Sequence, residues 1–128
     1  MLPYLEARKK LLQIVADCSK RDWDGYGANP VFPESVIDAI ASLDHLPSNS
    51  MEPDAVPESD GTVALEWNRL KDVVVIGFRG SGMIEVSGHV CGKEINEIGK
   101  MTNASLPEYA FHLLYLYFTN YEKQKTQA

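Results

Sequence analysis

The residues of this chain most suited to chemistry stand together in "RDWDGYGANP", Arg21 to Pro30: two aromatics, two glycines and the acids Asp22 and Asp24, in a run too irregular for a helix or a strand. With Glu66, Trp67 and Arg79 from the strands that follow, it could build a small-ligand pocket. Trp23, Tyr26 and Trp67 would be its walls and Asp24, Glu66 and Arg79 its polar groups, because such pockets combine apolar walls with a few convergent polar atoms. The competing expectation, which we favour, is a plug. Aromatics in a connecting loop of so small a domain complete the core, the glycines supply turns of positive φ, and Asp24 bonds nearby backbone amides.

Other chemistries find little support. His45, His89 and His112 are spread over three elements, and His89 with Cys91 makes half a zinc site at best, so no metal and no cofactor are expected. "GFRGSG" at Gly77 to Gly82 resembles a phosphate loop only superficially. That mechanism needs a helix N-terminus after the turn, and a strand follows here. No serine sits in a nucleophile-elbow pattern, and Cys18 and Cys91 lack a basic neighbourhood and read as buried thiols. We therefore expect no enzyme.

With 128 residues the chain fits one domain, residues 1–128, with a frayed tail from about residue 124. Its 12 Lys and Arg against 18 Asp and Glu give a net charge of −6, which repels a phosphate backbone and excludes general nucleic-acid binding. Charges at Glu6, Arg8, Lys9 and Lys10 break up the N-terminal apolar pattern, so neither a signal peptide nor a membrane span is expected and the location reads as cytoplasmic.

The elements that must position these residues follow from periodicity. Leu5, Leu11, Leu12, Val15 and Cys18 recur at helical spacing between about Tyr4 and Lys20. Pro33 and Glu34 open a second helix with Val36, Ile37, Ile40 and Leu43 as its stripe, ended by Leu46-Pro47. "PSNSMEPDAVPESDG" reads as a surface loop closed by a turn at Ser59 to Gly61. "TVALEW" alternates, and "DVVVIGFR" is apolar on both faces, as a strand covered on both sides would be. "GSG" makes a tight hairpin into "MIEVSGHV", and a short fourth strand is expected around Ile95 to Ile98. Ser105 and Glu108 form a capping box for a last helix to about Lys123. The fold class is α+β: two N-terminal helices, an antiparallel meander of three or four strands, and a C-terminal helix packed on the sheet.

"WDGYGA" at Trp23 to Ala28, an acidic proline-containing loop closed by Asp60-Gly61, and "LEW" at Leu65 to Trp67 together resemble a widespread set of small uncharacterised bacterial and phage proteins. The resemblance covers roughly residues 20 to 90 and implies a bacterial or phage origin, with Trp23, Asp24, Tyr26 and Trp67 as the signature. It implies no activity.

The last helix carries more aromatic surface than one stripe can bury: the favoured explanation is a helix clamped between the sheet and the N-terminal helices, and the other is a face left for a second chain, with Tyr115, Phe118 and Tyr121 as its candidate partner-facing residues. Small size, acidity and this surplus point to a non-catalytic protein-binding module. It would inhibit or neutralise a basic, nuclease-like protein partner, as an immunity protein, an antitoxin or an anti-defence inhibitor does. The alternative is the ligand-binding protein or enzyme described above, and a homodimer is a third role.

Overall fold

The computed structural model of the chain describes residues 3–48, 50–69 and 71–127; the side chains of residues 124–127 are not described. The order is α1 (Leu5–Asp17), α2 (Pro33–Leu43), β1 (Asp54–Pro57), β2 (Val63–Arg69), β3 (Asp72–Gly80), β4 (Met83–Val90), β5 (Lys93–Lys100) and α3 (Glu108–Gln127). All five strands form one antiparallel sheet in sequence order, so the fold is α+β as the sequence predicts, with one strand more than the meander expected.

Register divides the sheet into two unlike faces. Val63, Leu65 and Trp67 of β2 pair with Phe78, Ile76 and Val74 of β3, and Ile76 and Phe78 pair in turn with Val86 and Ile84 of β4. Directly paired residues share a face, and all of these are buried. The helices cover this side: α2 lies on β2 and β3, α3 on β3 and β4, and α1 against α2 and β1. Trp67 is 2% exposed; its indole N–H donates to the Met51 carbonyl at 2.8 Å and its ring meets Phe118 edge-on at 6.3 Å.

Among the described residues no helix covers the opposite face. Its rows run Val56, Ala64, Gly77, Glu85, Ile98 and Asp54, Glu66, Val75, Ser87, Asn96. Val73 and Val75 are accordingly half-buried rather than enclosed. The expectation of a strand covered on both sides is corrected: β-branched residues at the centre of a sheet are shielded by their cross-strand neighbours without a second helical layer.

Several other sequence expectations change. The acidic loop contains β1, whose Ala55 pairs with Leu65 and is buried; Pro53 and Pro57 bracket it, and prolines are tolerated on an edge strand. The stripe of α1 is Ala7, Leu11, Ile14 and Cys18, whereas Leu5, Leu12 and Val15 are exposed. Arg8, one of the charges in the N-terminal apolar pattern, is buried, and its guanidinium donates to Asp44 at 2.5 Å and to the Pro3 carbonyl at 2.7 Å. In α2 the buried face is Ser35, Val36, Ala39, Ser42 and Leu43, and Ile37 points to solvent.

The Ser105–Glu108 capping box does not form. Ser105 pairs with Thr102 across a small turn, and the first free amides of α3 reach the Pro107 carbonyl instead. Helix α3 continues to Gln127, past Lys123; Ala128 lies outside the described residues. Cys91 is exposed at the β4–β5 turn, so of the two thiols only Cys18 is buried, and burial raises its pKa.

Candidate functional site

The segment from Arg21 to Phe32 joins α1 to α2 without regular structure, so its backbone must find partners elsewhere. Two aspartates supply most of them. The Asp24 carboxylate accepts from the amides of Tyr26 (2.8 Å) and Ala28 (3.1 Å), and the Asp22 carboxylate accepts from the amide of Gly27 (2.5 Å). The Asp22 amide donates to the Ala28 carbonyl at 2.7 Å, which closes the loop on itself. Gly25 and Gly27, at φ 80° and 85°, allow the successive reversals this requires.

The loop is also anchored from outside. The half-buried Trp23 donates its indole N–H to the Asn29 carbonyl at 2.8 Å and packs against the edge of the core. The Asn29 amide donates to the Ser59 carbonyl and the Phe32 amide to the Gly61 carbonyl, at 2.9 and 2.8 Å, so the loop is stitched to the β1–β2 turn. Gly61 is required there: its φ is 96°, and a Cβ would meet the Phe32 ring at 2.7 Å.

Asp24 behaves as the plug expectation requires, but Tyr26 does not. Its side chain stands 93% exposed at the loop's apex. The expectation that the loop aromatics complete the core is therefore corrected for Tyr26.

The β1–β2 turn that holds the loop also rims a shallow basin of about 270 Å³ on the helix-free face of the sheet. Ala64, Gly77 and Ser87 floor it, since small residues there leave a depression between taller neighbours, and Glu58, Asp60 and Glu85 stand at its edge. Burial, reinforced by Asp60 and Glu66, raises the pKa of Glu58. Arg79 is committed to Glu85 at 2.6 Å, and this bond raises the guanidinium's pKa.

The six residues of the sequence-derived pocket are thus not assembled around one cavity. Trp67 faces the core, Glu66 and Arg79 lie on the opposite side of the sheet, and Tyr26 stands exposed on the loop. Of the candidate partner-facing residues on α3, Tyr115 is exposed, Phe118 packs on Trp67 and Tyr117 and belongs largely to the core, and Tyr121 is half-buried. Among the described residues no group of three or more His, Cys, Asp or Glu side chains could hold a metal ion. No described helix is long and apolar enough to cross a membrane.

Sequence reasoning missed the basin. Two of its acids, Glu58 and Asp60, were visible in "PESDG", but its floor exists only because Ala64, Gly77 and Ser87 fall near one another in neighbouring strands, which depends on register. Comparison with known proteins yields nothing further: no family profile, curated protein or solved structure matches the chain.

Proposed function

We propose that this chain is a non-catalytic protein-binding module that captures and neutralises a basic protein partner, in the manner of an immunity protein, an antitoxin or an anti-defence inhibitor. The observation that carries the reading is Tyr26, 93% exposed on a loop whose amides are held by Asp22 and Asp24. A tyrosine offers large contact area with few rotors, and a loop already fixed in one shape loses little entropy when a partner closes on it. Binding hot spots are rich in such residues.

Charge supports the choice of partner. The turn tied to this loop carries Glu58 and Asp60, and the whole chain has a net charge of −6. A positively charged surface would be steered toward the acids while Tyr26 supplied the apolar anchor. An exposed anchor on a loop tied to an acidic turn suits a protein surface better than a small molecule, which needs enclosure.

The test is photo-crosslinking from position 26 in the native host, followed by affinity measurements with the purified partner. One stoichiometric partner with a pI above about 9 is expected. Tyr26→Ala should weaken binding about 30-fold or more, the minimum for a hot spot of about 2 kcal/mol. Reversal of Glu58 and Asp60 together should slow association and flatten its salt dependence. Absence of a stoichiometric crosslink, or affinity indifferent to Tyr26, overturns the reading.

A further inference from the structure

The far edge of the sheet has features the protein-binding reading does not use. β5 is the terminal strand, and α3 packs mainly over β3 and β4. A groove of about 420 Å³ is left between α3 and the inner side of β5, lined by Ile95, Glu97, Tyr109, His112, Leu113 and Leu116. The Tyr109 side chain reaches across it to rest on Gly99. Lys93, Ile95 and Glu97 face the groove side, because they pair with Val90, Gly88 and Val86 of β4, and Val86 and Val90 are buried on the helix side.

The outward hydrogen-bonding groups of β5 can be assigned. Cys91 and Gly92, at φ 53° and 79°, form the two-residue turn into β5, and both positive values fit a type I′ hairpin. Val90 and Lys93 are then its closing hydrogen-bonded pair. Residues alternate from there, so Lys93, Ile95 and Glu97 bond to β4 while Glu94, Asn96 and Ile98 turn their N–H and C=O groups outward, with no strand beside them among the described residues.

We propose that a second copy of this chain pairs with β5 antiparallel, edge to edge about a two-fold axis, to make one continuous ten-stranded sheet. A two-fold axis normal to the sheet sets like face beside like face, so only residues of equal parity can stand opposite each other. Four registers then keep five or more residues of each strand overlapped, centred on Ile95, Asn96, Glu97 or Ile98. Centring on Glu97 brings Glu94 against Lys100 but sets two Glu97 carboxylates face to face in the groove. Centring on Asn96 puts Ile95 against a Glu97 carboxylate, and centring on Ile98 forms no ion pair.

Centring on Ile95 leaves no unfavourable pair among its five overlapped positions, Lys93 to Glu97. Ile95 meets Ile95 of the second copy in the groove, and Lys93 of each copy meets Glu97 of the other. Glu94 and Asn96 exchange their outward amides and carbonyls for four hydrogen bonds. Charges on an edge strand are a common guard against such pairing. In "KEINE", Lys93 to Glu97, they are arranged so that the strand is complementary to its own reverse. The pairing is independent of the Tyr26 reading, because β5 and the loop lie at opposite ends of the sheet.

Sedimentation of the full chain between about 10 µM and about 1 mM is expected to show mass rising toward twice the monomer, as a small interface requires. Lys93→Glu alone, or Glu97→Lys alone, turns both cross-strand ion pairs into repulsions. Each should weaken self-association about tenfold or more. Mixing the two variants restores opposite charges at both pairs and should recover a heterodimer, an outcome that a folding defect in either variant would not produce. A wild-type monomer throughout the range overturns the proposal. So does self-association indifferent to Lys93→Glu, or a mixture no better than its components.

Discussion

Replacing Ser35 with alanine tests how α2 is fastened to the sheet, and through α2 how the Tyr26 loop is held. Ser35 is fully buried in the first turn of α2. Its hydroxyl accepts from the Val63 amide at 2.9 Å and donates to the Phe78 carbonyl. Val63 and Phe78 are register partners in β2 and β3, so the hydroxyl stands between a donor and an acceptor that would otherwise face each other. Alanine leaves both buried and unpaired, at about 1–3 kcal/mol each, offset by about 0.5 kcal/mol of helix propensity. The net loss is about 1.5–5.5 kcal/mol, a large part of the roughly 5–15 kcal/mol that holds a domain together. For a chain of this size that is a fall in Tm of roughly 6–20 °C.

Urea unfolding followed by the fluorescence of buried Trp67 measures the loss, with an unchanged slope showing that the unfolded state is the same. Ser42→Ala is the matched control. Ser42 is equally buried, but its hydroxyl only adds a bond to the Ala39 carbonyl within its own helix. Its loss should cost about 1 kcal/mol or less. If Ser35→Ala costs no more than Ser42→Ala, then β2 and β3 close directly across the gap and the account of this joint is wrong.

Three further outcomes follow from the same structure. Glu58 holds its proton more tightly folded than unfolded, mainly through burial, so its ionisation opposes folding; the cost is fully present above the raised folded pKa and gone below the ordinary value of 4.5. Glu58→Gln should therefore be more stable than the wild type at pH 7, with the difference shrinking to nothing as pH falls below 4.5 in paired melting curves. Asp24→Ala removes the acceptor of the Tyr26 and Ala28 amides; amide exchange there should quicken about tenfold while core amides keep their protection, and equal acceleration everywhere would contradict a local staple. Gly88→Ala drives a methyl into the Val73 carbonyl; a loss of about 1–3 kcal/mol is expected in thermal unfolding, and a neutral result would mean that β3 and β4 can separate there freely.

The fold was legible wherever one residue type dictates a local conformation. Pro33 with Glu34 opens α2 where expected, Gly80 to Gly82 turns β3 into β4, and Asp60-Gly61 turns β1 into β2. It was less legible where tertiary context outweighs pattern. β1 looked like a loop because prolines bracket it, yet pairing with β2 buries Ala55. The stripe of α1 was misplaced because Leu12 and Val15 count as apolar but face water, while Arg8 reaches the interior by bonding Asp44 and the Pro3 carbonyl. Apolar character alone could not tell that Val73 and Val75 face a side without helices.

The candidate site divides along the same line. That Asp24 would serve backbone amides follows from its place two residues before a turn amide, and the structure has it so. That Tyr26 would face outward could not be read, because an aromatic between two glycines fits a core plug and a docking knob equally well, and only the direction of the backbone decides.

Tyr26 and β5 occupy opposite ends of one rigid sheet, and their separation gives the two proposals a joint consequence. The loop is tied to the β1–β2 turn, four strand spacings from β5. A dimer through β5 would hold two Tyr26 loops at its outer ends, on the order of 40 Å apart at about 4.8 Å per strand before twist is allowed for. One compact partner would not bridge that span, so each loop would take its own partner and dimerisation would leave single-site affinity unchanged. A partner that is itself oligomeric could engage both loops, and linked sites gain avidity without any new contact. Lys93→Glu therefore separates the cases: it should lower affinity for an oligomeric partner and spare a monomeric one, whereas Tyr26→Ala should weaken both and leave the mass of the free protein as it was.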